Sequence, residues 1–259
     1  MAAPETFTRR QGAVRARLHP RCGPEEYAAW LADPGSLAPT DAGPRWRGGS
    51  PSIKDPRWFV KRRTGRKGRR ALEHSLDVGL ALEDAGIAAC LPLAVVRTGG
   101  VTWLVSEWLD GRDLDHALAE ADADGRLELA RRAGELVAEL HAAGFRQRDL
   151  KAPNLLVVEG GAVVLVDLEG IRHRHGGTGA LGRRLRAKDL GRLAASFLAL
   201  GLAEEPGGPL AALVAAYLGR LGELAPEAAG GDAEDWLATI LGLGRAKVRR
   251  NARRGRVLR

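Results

Sequence analysis

A chain of 259 residues with a formal net charge of +8 and a pI near 10.1 is long enough for one domain or two closely associated lobes around a sizeable core. The basic balance points to anionic partners: a nucleotide, a phosphorylated saccharide, an anionic lipid surface or nucleic acid. No run approaches the ~18 apolar residues of a membrane span, and MAAPETFTRR lacks a signal core, so neither a spanning segment nor a visible export signal is expected. Cys22 and Cys90 have no metal-ligand neighbours and read as two separate reduced thiols of a cytoplasmic protein.

Residues 1–50 carry six of the thirteen prolines and little periodic pattern, so they read as an extension of uncertain structure. Within them a short helix is expected at 24–33, with Pro24 in its first turn. Residues 45–50, RWRGGS, are where a phosphate-covering glycine loop would have to lie. They match G-x-G-x-x-G poorly, and an ordinary turn is the simpler reading. RWFVKRR at 57–63 alternates as a strand, with Phe59 and Lys61 on one face and Trp58 and Val60 on the other. A basic loop is expected at 64–70, then a helix at 71–85 burying Leu72, Leu76 and Leu80, with Glu73 in its first turn. ACLPLAVV, a turn at 97–100 and VTWLVSE give a strand pair that passes through Glu107, Trp108 and Leu109 into a linker ending near Gly111. Asp113 is placed to cap a helix from Leu114. A further helix at 126–143 has a broad apolar face and should stop at Gly144. His141 in its last turn reads as a structural imidazole that suits the helix dipole.

Directly after that helix comes GFRQRDLKAPNLLVVEGGAVVLVDLEGIR. Asp149 precedes Asn154 by five residues, on the pattern R-D-L-K-x-x-N. Two β-branched runs flanking Glu159-Gly160-Gly161 predict a hairpin, and Asp167 stands at its end in D-L-E-G. This order of residues suits phosphoryl transfer, which needs positioning and charge neutralisation more than covalent help. Asp149 would accept or orient the attacking hydroxyl. Asn154 and Asp167, brought to one end of the hairpin, would hold magnesium, and Lys151 would neutralise charge on the transferred group.

Residues 173–193, HRHGGTGALGRRLRAKDLGRL, form a basic, glycine-rich segment fit for an activation or substrate loop; His173 and His175 read as part of its solvated surface. Helices are expected at 188–200, 208–224 and 232–250. The last fifteen residues hold eight basic residues and no acid. They suit a solvated end or anionic head groups better than nucleic acid, since no aromatic residue is interleaved to stack bases.

The protein-kinase signature H-R-D-L-x-x-x-N before D-F-G is matched with Gln147 in place of the His and Leu168-Glu169-Gly170 in place of F-G. WFVK at 58–61, Glu73, SEWLDG at 106–111, LHAAGFRQRDLKAPNLLV at 140–157, VDLEGIR at 166–172 and KDL at 188–190 together resemble the lipopolysaccharide core kinases, the Kdo/WaaP family of the protein-kinase-like superfamily. That resemblance implies a two-lobed α+β kinase: an extension at 1–50, an N-lobe at 51–110, a mainly helical C-lobe at 111–244 and a basic tail at 245–259. It implies ATP between the lobes, with its adenine on the backbone around Glu107 and Leu109. Lys61 would touch its phosphates with Glu73 orienting Lys61, and Asn154 and Asp167 would bind Mg²⁺. Asp149 would be the base, and Asp189 would brace the catalytic-loop backbone. The implied acceptor is a sugar hydroxyl of the lipopolysaccharide inner core at the cytoplasmic face of the inner membrane. Small-molecule phosphotransferases and atypical protein kinases share the skeleton, and a kinase-fold binding module without catalysis is the reading from another class.

Overall fold

Residues 6–37, 45–47, 50–55, 58–173 and 180–254 are described in the computed structural model. The chain divides into two units, Met1–Leu109 and Asp110–Arg259.

The first unit is built on a seven-stranded sheet. Its strands are β1 (Phe7–Gln11), β2 (Val14–Leu18), β3 (Arg45–Arg47), β4 (Ser50–Asp55), β5 (Trp58–Thr64), β6 (Pro92–Thr98) and β7 (Val101–Glu107), in the spatial order β1-β2-β6-β7-β5-β4-β3. The period of two decides what each face buries. Ala16, Leu18, Val60, Ala94, Val96 and Val105 pack with Trp30 and Leu31 of helix α1 (Pro24–Ala32). Val95 and Leu104 on the other face pack with Leu72, Leu76 and Leu80 of helix α2 (Gly65–Asp84). Lys61 is in register with Leu104 and therefore belongs to the α2 face. Residues 7–18 do not stand apart as an extension: β2 pairs with β6 and widens the sheet. The glycine-turn residues 48–49 lie outside the described residues.

The loop expected at 64–70 is absent, because α2 begins at Gly65. Arg66, Lys67, Arg69 and Arg70 are good helix formers and lengthen the apolar helix N-terminally. Glu73 consequently sits in the third turn rather than the first.

The second unit opens with β8 (Gly111–Asp113), α3 (Leu114–Glu120) and α4 (Ala123–Ala142). Asp113 stands at the N-cap of α3 without a side-chain cap bond, whereas Asp122 Oδ1 accepts from Gly125 N at 2.8 Å and starts α4 three residues before the expected Arg126. Gly144, at φ 78°, ends α4 as predicted, its N–H donating to His141 O at 3.1 Å. Next come β9 (Phe145–Gln147), β10 (Leu155–Val158), β11 (Val163–Leu165) and β12 (Ile171–His173), forming a three-stranded sheet β11-β10-β8 and a pair β12-β9. Helices α5 (Arg183–Ala199), α6 (Pro209–Leu224) and α7 (Ala233–Arg253) complete the unit. Residues 183–187, expected within the basic loop, are helical. The last helix, expected at 232–250, runs on to Arg253 and takes in the first residues of the basic tail. Residues 174–179 of that loop lie outside the described residues.

The core of this unit is helical. Phe197, Tyr217, Trp236 and Ile240 are buried between α4, α5, α6 and α7. His141 is structural, as read from the sequence: it is fully buried, with Nδ1 3.0 Å from Tyr217 Oη. Burial lowers its pKa from the ordinary value, against the opposing pull of Asp189. No helix among the described residues is long and apolar enough to cross a membrane.

Gly134 lets α4 approach α6 closely: a β-carbon there would sit 2.3 Å from Leu213 O. Gly134→Ala should therefore lower the urea midpoint of the full chain, with a loss of about 1–3 kcal/mol typical of overpacking. An unchanged midpoint would contradict this helix contact.

Candidate active site

The hairpin predicted around Glu159–Gly161 is present, with Leu155 opposite Leu165 and Val157 opposite Val163. Leu155 and Leu165 are buried, and they anchor its open end in the core. Asn154 and Asp167 flank that end. Val166 N donates to Asn154 O at 3.0 Å, which ties the two arms together just before Asp167.

The loop from Arg148 to Asn154 is pinned by its apolar residues, Leu150 and Ala152, which are fully buried. Asp149 and Lys151 between them face solvent, and Lys151 Nζ lies 3.1 Å from Asp149 Oδ2. Asn154 Nδ2 donates to the Asp149 carbonyl at 2.9 Å, and this orients its Oδ1 as the group left for a cation. Asn154 Oδ1 and the Asp167 carboxylate are the oxygen donors at this end of the hairpin that could hold a cation. That pair suits Mg²⁺, which favours few protein ligands and completes its shell with water and phosphate oxygens.

Gln147 is the residue that joins these loops. It is fully buried; its Oε1 accepts from Asp149 N at 3.2 Å and its Nε2 donates to Asp167 O at 3.2 Å. Arg148 N donates to Gly170 O at 3.1 Å beside it, and β9 pairs with β12 through Gln147 and Ile171. Gly170 is required here, because a β-carbon would fall 2.1 Å from Gln147 Oε1. Asp167 adopts a left-handed backbone at φ 57°, alone among the described non-glycine residues. Backbone strain of this kind concentrates at functional sites. The sequence showed Gln147 only as a departure from His. Its signal was the carboxamide itself, a donor and an acceptor two residues before Asp149.

Two expected contacts are replaced by others. Asp189 does not reach the loop backbone. Its Oδ1 meets Arg146 Nη2 at 3.1 Å and Arg192 Nη1 at 2.7 Å, and its Oδ2 lies 3.8 Å from His141 Nε2. A fully buried carboxylate needs countercharge, and two arginines out-compete backbone amides for it. Ser196, one helical turn beyond Arg192, makes the backbone contact instead by accepting from Ala152 N at 3.1 Å. In the first unit, Glu73 meets Arg97 at 3.5 Å and Arg69 at 3.8 Å, and not Lys61. Arg97 is level with Thr102 and Arg63, whereas Lys61 is level with Leu104, two residues or about 7 Å back along the strand.

Glu107 ends β7. Its N–H donates to Leu91 O at 3.1 Å and its carbonyl accepts from Cys90 Sγ at 3.3 Å. Burial raises the Glu107 carboxyl above its usual range, with Arg21 opposing. Cys90 is pushed up to about 12 chiefly by burial, as is Cys22, so both free thiols stay protonated at neutral pH.

Lys247 of α7 was hidden in the basic tail. It lies near enough to Asp149, Lys151, Arg192 and Arg250 to feel their charges; burial, the largest influence, lowers its pKa and Asp149 opposes that. The close approach of Gly191 to Leu243 and of Gly244 to Ala194 and Leu198 draws α7 along α5 to this place.

Comparison with known proteins fixes what this architecture is. A family model described as the Lipopolysaccharide kinase (Kdo/WaaP) family matches residues 58–217. The chain belongs to this family. It is a kinase, a phosphotransferase with a mixed α and β, protein-kinase-like fold. No curated protein sequence matches it significantly. Among solved structures, an aminoglycoside-3'-phosphotransferase of type VIII aligns over 79% of this chain and 91% of its own, at 18% identity and a TM-score of 0.50. The ROP18 kinase domain in complex with AMP-PNP and sucrose aligns over 79% and 81%, at 17% identity and a TM-score of 0.49.

Gln147→Leu should remove both loop bonds while filling similar volume. A stability loss of about 1–3 kcal/mol is expected from the stranded N–H and carbonyl, measured as a lowered urea midpoint. Wild-type stability in this variant would show that the bridge does not hold the loops.

Proposed function

We propose that this kinase transfers the terminal phosphoryl group of ATP to a sugar hydroxyl of a lipopolysaccharide inner core, on Kdo or heptose, or of a similar anionic glycolipid. The observation that carries the reading is the exposed Asp149–Lys151 pair at 3.1 Å, on a loop that Gln147 ties to Asp167 and whose Asn154 side chain is oriented by Asp149 itself.

In this reading the acceptor oxygen forms a bond to the γ-phosphorus as the bond from phosphorus to the β–γ bridging oxygen breaks. The hydroxyl proton passes to the Asp149 carboxylate, and ADP leaves. Lys151, paired with Asp149, meets the charge on the phosphoryl oxygens. Asn154 and Asp167 would hold Mg²⁺, which supplies charge neutralisation on the nucleotide phosphates. Lys61 is proposed as a contact for the nucleotide phosphates on the strength of the resemblance alone.

The charge around Asp149 favours an anionic acceptor. Lys151 lies 3.1 Å from it, and Lys247 feels the charges of Asp149, Lys151, Arg192 and Arg250. A cationic acceptor, such as an amino sugar drug, would meet repulsion from these groups. The same basic face suits a glycolipid held at an anionic membrane surface.

The test is transfer of label from [γ-³²P]ATP to purified inner-core glycolipid in the presence of Mg²⁺. Wild type should label the glycolipid, and Asp149→Asn should do so at least ~10²-fold more slowly, the usual contribution of a positioned base. Full activity in the variant would remove Asp149 from the chemistry. Label entering only a small soluble or protein acceptor would overturn the glycolipid assignment.

A further inference from the structure

At the end of the first unit's sheet remote from Glu107, a cavity of about 420 Å³ is lined by Arg15, Arg66, Arg69 and Arg97 together with Gly65 and the β6–β7 turn. The length of β7, seven residues at about 3.3 Å each, puts roughly 20 Å between this cavity and Glu107. Neither the Asp149 loop nor the phosphotransfer reading uses these arginines.

Three separate rules of folding are broken at this one place. Arg15 on β2 and Arg97 on β6 stand directly opposite each other in the sheet, a like-charge pairing that disfavours the strand contact. The first turns of α2 carry Arg66, Lys67, Arg69 and Arg70 and no acid, where the helix dipole favours anions. Arg69 Nε is shielded from solvent without a hydrogen-bond partner. Against the four guanidinium groups of the lining stands one carboxylate, Glu73, bound to Arg69 and Arg97. Four positive charges less one leave three for a ligand to balance. Local conflicts concentrated at one site mark function more often than error.

We propose that this cavity is a binding site for a phosphate-bearing anion of two or more negative charges. Guanidinium forks match phosphate oxygens in pairs, and four of them around one cavity fit a diphosphate or a bisphosphorylated head group better than a single carboxylate. No aromatic side chain lines the cavity, so nothing there would stack a nucleobase. The recognised group is the phosphate cluster, free in solution or carried on a lipid.

The test uses the full chain in Mg²⁺-free chloride buffer at fixed ionic strength, in a Lys61→Ala background that keeps phosphates from registering at the proposed nucleotide contact. Titration calorimetry with inorganic pyrophosphate should show one site. Arg69→Gln and Arg97→Gln should each weaken it at least tenfold, and Arg131→Gln, on α4 and outside the lining, should leave it unchanged. A second readout needs no ligand: in phosphate-free buffer Arg15→Gln should melt at or above the temperature of its parent, because it relieves the Arg15–Arg97 repulsion. Sedimentation with phosphatidic-acid vesicles identifies the source. Binding displaced by pyrophosphate and lost in Arg69→Gln assigns a lipid head group, whereas pyrophosphate binding without vesicle binding assigns a soluble ligand, and both support the site. Equal pyrophosphate binding by all variants, no binding at all, or a lower melting temperature for Arg15→Gln would overturn it.

Discussion

The buried carboxamide of Gln147 is the contact on which the catalytic half of this kinase depends. It is a single side chain that satisfies the amide of Asp149 and the carbonyl of Asp167, groups eighteen residues apart in the chain and separated by the whole hairpin. Asp167 is held in the left-handed region, which costs an L-residue about 1–2 kcal/mol, though aspartate tolerates it better than most. Two hydrogen bonds from a buried group, each worth about 1 kcal/mol net, are of the size needed to offset that cost. Gly170 completes the arrangement by leaving room for the carboxamide oxygen.

A second buried polar group supports the first from below. Asp189 is fully buried and draws Arg146, Arg192 and His141 around it. Arg146 belongs to β9, so the ion pair fixes the strand from which Gln147 projects. Removing one partner would leave a buried charge uncompensated, which is the costly way to break such a cluster. Ser196 on the same helix then holds Ala152 directly. One helix thus positions both ends of the loop that carries Asp149 and Lys151.

Much of this was legible in the sequence because it is local. The hairpin follows from β-branched runs around Glu159-Gly160-Gly161, the end of α4 from Gly144, and the order Asp149, Asn154, Asp167 from the spacing alone. What could not be read depends on register and on competition among partners. Whether Glu73 meets Lys61 or Arg97 is decided by a two-residue offset between neighbouring strands, and the sequence carries no direct record of that offset. Asp189 was expected to brace the catalytic-loop backbone, yet a buried carboxylate near two arginines takes the guanidinium groups, and the backbone contact passes to Ser196. Lys247 was invisible for a further reason. A basic C-terminal stretch looks like a frayed end until the small residues Gly191 and Gly244 are seen to draw α7 along α5. The helical start of α2 was missed because arginine and lysine beside glycine look like a loop, although their propensity is helical.

The account's central claim is that Asn154 and Asp167 form one metal-holding pair while Asp149 serves the hydroxyl. The most direct measurement is Mn²⁺ binding by electron paramagnetic resonance, in the presence of a non-hydrolysable ATP analogue, for wild type, Asn154→Ala, Asp167→Ala and Asp149→Asn. The account predicts that both alanine variants lose most of the nucleotide-dependent Mn²⁺ signal while Asp149→Asn retains it. An undiminished signal in Asp167→Ala would contradict the claim.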